Sequence, residues 1–154
     1  MYTLGRMPNR YVAVCGDSDP GTPHRQAALD VGRLLAEAGC VVLCGGYGGV
    51  MEAASEGAAK AGGTVVGILP TSDREGANEY LTLSLPTGLG QARNAVLATA
   101  AEAVIAIGST GWGTLSEIAL ARRLGRPVVG LQTWRLEGLE TAGSPDEAVR
   151  RVLG

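Results

Sequence analysis

A short apolar run, a glycine turn, a helical stretch and another glycine recur along this chain, and that alternation restricts the possible folds more than any other feature. The apolar runs are Tyr11–Cys15 (YVAVC), Val41–Cys44 (VVLC), Thr64–Leu69 (TVVGIL), Tyr80–Leu85 (YLTLSL), Ala103–Ile107 (AVIAI) and Val128–Leu131 (VVGL). They are continuous rather than alternating, as in strands covered on both faces. Ala27, Val31, Leu34, Leu35 and Ala38 return at helical spacing and predict a helix over 23–38. The Thr22 hydroxyl would cap it, Pro23 would open it and Gly39 would end it. A second, Ala-rich helix is expected over 49–61. A third is expected over 89–100, packing through Leu89, Ala92, Val96 and Ala100. A fourth, over 114–124, is stopped by Gly125 and Pro127. Ser144-Pro145-Asp146-Glu147 opens a last short helix with a capping box. Strand–helix–strand alternation with short loops predicts a single α/β domain over 10–154, a three-layer, doubly wound parallel sheet of about six strands. Residues 1–9 are expected to form a flexible N-terminus, and Thr71–Asn78 the most mobile loop.

Composition narrows the function classes. At 154 residues and 45% hydrophobic, the chain can bury one core. A net charge of −2 gives no reason to expect a nucleic-acid or membrane-surface partner. Cys15, Cys40 and Cys44 are odd in number and lack C-x-x-C spacing, which fits a reducing compartment rather than a disulfide framework. No apolar run approaches the ~20 residues of a membrane span. Residues 1–10 carry no apolar signal-peptide core, so a cytoplasmic location is expected.

In a doubly wound sheet, ligands bind beyond the carboxyl ends of the strands. This sequence places four glycine-bearing loops there. Gly16, Asp17 and Ser18 follow the first strand. Gly45, Gly46, Tyr47, Gly48 and Gly49 follow the second. Gly88 to Asn94 follow the fourth, and Gly108, Ser109, Thr110, Gly111, Trp112, Gly113 and Thr114 follow the fifth. Glycine lets backbone N–H groups approach an anion, and helix N-termini add partial positive charge. The anion site so predicted is neither a P-loop, since no Gly-Lys-Ser/Thr occurs, nor a dinucleotide fingerprint, since G-x-G-x-x-G is missing after strand one. A ligand of mononucleotide size fits better.

Arg93 and Glu117 each fall in the first turn of an expected helix at this edge. An arginine forks naturally onto phosphate, or it is simply a solvated surface residue. A carboxylate near a ribose can stabilise an oxocarbenium-like state. Thr114-x-x-Glu117 is equally a capping box, and the sequence leaves those alternatives open. Trp112 and Tyr47 can stack on a ring or pack against a loop or subunit. Asp17 and Asp19 could bind a cation, but they read better as helix caps or solvated residues. No metal site is expected, since His24 stands alone.

Taken together, CGGYGGVM (Cys44–Met51), GLGQARN (Gly88–Asn94) and GSTGWGTLSEI (Gly108–Ile118) resemble the Rossmann-like superfamily of LONELY GUY phosphoribohydrolases and molybdenum-cofactor carrier proteins, over roughly Tyr11 to Trp134. The resemblance implies that Arg93 and Glu117 match the catalytic pair of the phosphoribohydrolases, and that Gly111, Gly113 and Thr114 match their phosphate loop. Ser109 and Thr110 replace the usual Pro-Gly, Asn94 replaces a lysine, and Asp17 stands where a serine is usual. These departures and the short chain are closer to the carrier branch, whose members bind a phosphorylated pterin. Relatives are often called lysine decarboxylases, but pyridoxal phosphate needs a Schiff-base lysine. The only lysine, Lys60, lies at the end of an expected helix. The preferred expectation is therefore a protein that binds a phosphorylated nucleotide-like ligand, carrier-like, with the molybdenum cofactor or a nucleoside monophosphate as ligand. The alternative is a phosphoribohydrolase that releases free base and ribose 5-phosphate. The resemblance also implies a homodimer or homotetramer.

Overall fold

The computed structural model describes residues 9–154. Most of the expected flexible N-terminus, residues 1–8, lies outside them. Among the described residues, five helices pack on one wholly parallel sheet whose order is β4-β3-β2-β1-β5-β6-β7. The strands are β1 Tyr11–Gly16, β2 Val41–Cys44, β3 Val65–Leu69, β4 Leu83–Pro86, β5 Ala103–Ile107, β6 Val128–Leu131 and β7 Glu140–Ala142. Helices α1 (Arg25–Glu37), α2 (Val50–Lys60) and α5 (Pro145–Leu153) cover one face. Helices α3 (Arg93–Ala100) and α4 (Trp112–Arg123) cover the other. The two faces have separate apolar cores. Val12, Val14, Val42 and Ile105 point into one, and Ala13, Cys15, Leu43 and Val104 into the other. This is the Rossmann-like arrangement expected, with seven strands rather than about six. The additional strand, β7, is a Glu-Thr-Ala edge with no apolar run to announce it. Its pairing with β6, from Val129↔Glu140 to Leu131↔Ala142, makes it a strand.

The chain winds outward from β1 to β4, then crosses to β5 on the other side of β1. The loops leaving β1 and β5 therefore run to opposite faces, and a crevice opens between them. On the first face α1 and α2 touch backbone to backbone. A Cβ on Gly32 would lie 2.0 Å from the Ala54 carbonyl oxygen, and one on Gly57 would lie 2.0 Å from that of Leu29. Only glycine at both crossing points permits this approach.

Local details depart from the expectations in two places. Helix α1 opens at Arg25, because the Thr22 hydroxyl is engaged elsewhere. It donates to Asp17 Oδ2 at 2.8 Å and accepts from the His24 N–H. The third helix begins as a 3-10 turn, Gly90–Ala92, and is rotated from the expected face. Arg93, Asn94, Leu97 and Ala98 are buried, whereas Leu89 and Val96 are 52% and 37% exposed. Satisfying two buried polar side chains outweighs burying that apolar stripe. The Thr71–Asn78 loop is fastened at its end, where the Asn78 N–H donates to the Gly46 carbonyl at 2.9 Å and Asn78 Nδ2 to the Tyr47 carbonyl at 3.0 Å. Among the described residues, no helix is long and apolar enough to cross a membrane.

Candidate functional site

A cleft of ≈ 570 Å³ lies at the carboxyl ends of β1, β2, β3 and β5, and the four glycine-bearing loops converge on it. Gly16, Asp17, Ser18, Arg93, Asn94, Thr110, Gly111, Gly113, Thr114 and Glu117 line it. Gly45, Gly46, Gly48, Gly49, Gly108, Ser109 and Trp112 do not, and most of these glycines have packing reasons instead. Gly49, at φ +64°, lies against the Asp17 carbonyl, and Gly46 lies beneath Leu69. The His24 imidazole covers Gly108. Trp112 projects outward, 85% exposed. The lining also includes Tyr47, one of the two rings considered for stacking, and Asp19, Met51, Pro70 and Gln91, which were not expected as ligand contacts. Pro70 follows β3, whose carboxyl end opens without a glycine turn. The same sheet-edge rule, applied to that strand, would have found it.

Asp17 and Asp19 shape their own loop. Asp17 accepts from the Asp19 N–H at 3.0 Å and Asp19 from the Gly21 N–H at 2.9 Å. On the opposite wall, helix α4 starts at Trp112 with Gly111 as its N-cap, and no side chain caps it. Its first N–H groups, which cannot have partners within the helix, open toward the cleft. Gly111 needs glycine for its backbone, at φ +86°. Gly113 does not. Its φ is not positive, and a Cβ there would meet nothing within 4 Å.

Arg93 is buried rather than solvated, 8% exposed. Its Nη1 donates to the Gly45 carbonyl at 2.8 Å and the Ile68 carbonyl at 2.6 Å, and its Nε to Asn94 Oδ1 at 2.7 Å. Asn94 Nδ2 continues to Ser116 Oγ at 3.0 Å, and Ser116 to the Gly113 carbonyl at 2.7 Å. One network thus ties the ends of β2 and β3, through α3, to the first turn of α4. Only Nη2 of Arg93 is left without a protein partner among the described residues.

The start of α4 at Trp112 overturns the capping-box reading of Thr114 and Glu117. Glu117 belongs to the second turn, and no backbone N–H reaches its carboxylate. It is 9% exposed, on the cleft wall, with the Cys15 thiol against it. Burial pushes its carboxyl up to about 7, opposed by the Cys15 thiol and the Arg93 charge. Burial and the neighbouring Glu117 in turn push the Cys15 thiol well up, so Cys15 is an unreactive thiol. Cys44 lies in the core of the other face, 3.4 Å from Ser55 Oγ. Lys60 is bound to Glu56 at 2.8 Å and does not line the cleft, which leaves no lysine there to form a Schiff base.

Comparison with known proteins agrees with the fold. A molybdenum cofactor binding protein from the phototrophic bacterium Rippkaea orientalis is 35% identical, with a TM-score of 0.87 over 94% of this chain and 96% of that one. The molybdenum cofactor carrier protein of Chlamydomonas reinhardtii is 30% identical, with a TM-score of 0.85 over 95% of this chain and 97% of that one. An uncharacterized protein of Archaeoglobus fulgidus is 38% identical over 143 residues, 92% of this chain and 93% of its own length. The model of the SLOG cluster4 family matches residues 9–152. The chain belongs to the SLOG cluster4 family.

Proposed function

We propose that this chain is a cytoplasmic binding protein for a phosphorylated, nucleotide-like ligand of the molybdenum-cofactor kind. The observation that carries the reading is Gly113, a glycine that neither backbone conformation nor packing requires, in the uncapped first turn of α4 on the cleft wall. A phosphate there receives the N–H groups of α4, the hydroxyls of Thr110 and Thr114 and the free Nη2 of Arg93. The cleft has the size usual for a small-molecule site. The likeness to two molybdenum cofactor proteins supports the same ligand class. That cofactor brings redox chemistry of its own, while these residues serve to hold its phosphate.

A second reading is favoured by one feature. Glu117 is a buried carboxyl on the cleft wall that takes no part in capping and changes charge near neutral pH, as a general acid or base for N-glycosidic hydrolysis would. One experiment separates the two. Purified protein is incubated with AMP while melting temperature and free adenine are followed. Binding predicts a raised melting temperature and no adenine; adenine release that Glu117→Gln abolishes would make the protein a hydrolase. Gly113→Ala is expected to preserve the fold, since alanine suits a helix better than glycine. It should weaken AMP binding about tenfold or more, because the added methyl projects into the open space beside the backbone and holds the phosphate off its charge-assisted N–H contacts. Unchanged affinity would remove the phosphate from α4.

The proposal extends to a homo-oligomer. Leu83 and Leu85 on edge strand β4, Leu89 just before the Gly90–Ala92 turn and Val96 on α3 are exposed apolar side chains, and a second copy would cover them. Val96→Glu is then expected to dissociate the assembly. Sedimentation of the parent chain as a 15.7 kDa species alone would refute it.

A further inference from the structure

The two ends of the cleft differ in chemistry. The α4 end offers backbone N–H groups and threonine hydroxyls. The other end, beyond Arg93, is bounded by a phenol ring, a thioether and a pyrrolidine, those of Tyr47, Met51 and Pro70. Tyr47 is held from behind. Its hydroxyl lies 3.4 Å from Thr71 Oγ1, its carbonyl accepts from Asn78 Nδ2, and Gly76 lies against its ring edge. The ring is only half-buried and contributes to the cleft wall, so its orientation is set without a ligand. Met51 is buried, with its sulfur over Gly45 next to the Arg93 guanidinium; a Cβ on Gly45 would lie 2.7 Å from the one and 2.9 Å from the other.

We infer that Tyr47, Met51 and Pro70 form a stacking subsite for a planar heteroaromatic ring, so that the ligand lies along the sheet edge with its phosphate at α4 and its ring at the ends of β2 and β3. The inference rests on the phosphate-binding reading above and adds the class and direction of the ligand. From β5 to β2 is two strand spacings, about 10 Å, a span that a mononucleotide-sized molecule bridges and a free phosphate does not. An aromatic face accepts any planar ring, and a thioether packs well at a ring edge. A sugar phosphate would leave this end of the cleft empty.

The test measures calorimetric affinities of the full-length protein for ribose 5-phosphate and AMP, in the parent, Tyr47→Ala and Tyr47→Phe. The parent is expected to prefer AMP. Tyr47→Ala should weaken AMP about tenfold or more, the usual effect of removing an aromatic stacking partner, with ribose 5-phosphate unchanged. Tyr47→Phe, which keeps the ring and loses only the Thr71 contact, should keep the preference. Equal affinities of the parent for both probes, or equal losses of both in Tyr47→Ala, would overturn the subsite and leave the phosphate reading standing. Failure of the parent to bind either probe would overturn both.

Discussion

Replacing Glu117 with glutamine should stabilise the protein by roughly 3 kcal/mol at pH 8 and change it little at pH 4. The sign follows from the direction of the pKa shift. In the folded chain burial holds the carboxyl near 7, against 4.5 as its ordinary value. Between these values the unfolded chain has released a proton that the folded chain retains. Folding stability therefore declines as pH rises through that window and levels off above about 7. Glutamine keeps the shape and has nothing to ionise, so the variant should lack the decline. For a domain of this length the gain corresponds to a melting temperature about 6–12 °C higher at pH 8. Equal melting temperatures of the two proteins at pH 8 would show that Glu117 ionises without cost. A higher melting temperature in the variant would show that folding alone does not account for this carboxyl. An anionic ligand in that cleft should also bind the parent more weakly as pH rises past 7, and Glu117→Gln should flatten this dependence.

Replacing Arg93 with alanine should destabilise the fold by about 3–5 kcal/mol. The guanidinium is buried and donates to two main-chain carbonyls, at the ends of β2 and β3, as well as to Asn94. Its removal strands those acceptors and breaks the link that runs through Ser116 to the first turn of α4. Arg93→Lys should recover only part of the loss. An ammonium carries a charge but lacks the planar fork that reaches several acceptors at once. Urea denaturation measures both, and a loss below about 1 kcal/mol for alanine would mean that water replaces the guanidinium without strain. Because Arg93 carries part of the architecture, loss of ligand binding in Arg93→Ala does not by itself assign it a contact with ligand; only Nη2 is available for one.

How much of this was legible in the sequence can be seen element by element. Strands β2, β5 and β6 have the ends expected from their β-branched runs, because a strand buried on both faces must be apolar throughout. Ser144 accepts from the Glu147 N–H at 3.1 Å, and Glu147 reaches back to the Gly143 N–H at 2.8 Å, since a cap is a contact between near neighbours. The edge where four loops meet followed from strand–helix alternation alone. The register of α3 did not. Its apolar stripe suggested one face, and Arg93 turned the other inward to reach a carbonyl 48 residues away.

Local chemistry, then, determined the alternation, the parallel sheet, the cleft's place at the carboxyl edge and the residues gathered there. Tertiary structure decided which of those residues face the cleft and which are consumed by the fold. It turned Gly45, Gly46 and Gly49 to packing, made Arg93 a tie between strands, and started α4 early enough to release Glu117 from capping. It also left Gly113 open and brought Tyr47, Met51 and Pro70 to one end of the cleft. The physical reason is that periodicity and caps depend on neighbours within one or two turns. Burial and hydrogen-bond satisfaction depend on groups that the chain brings together only when folded.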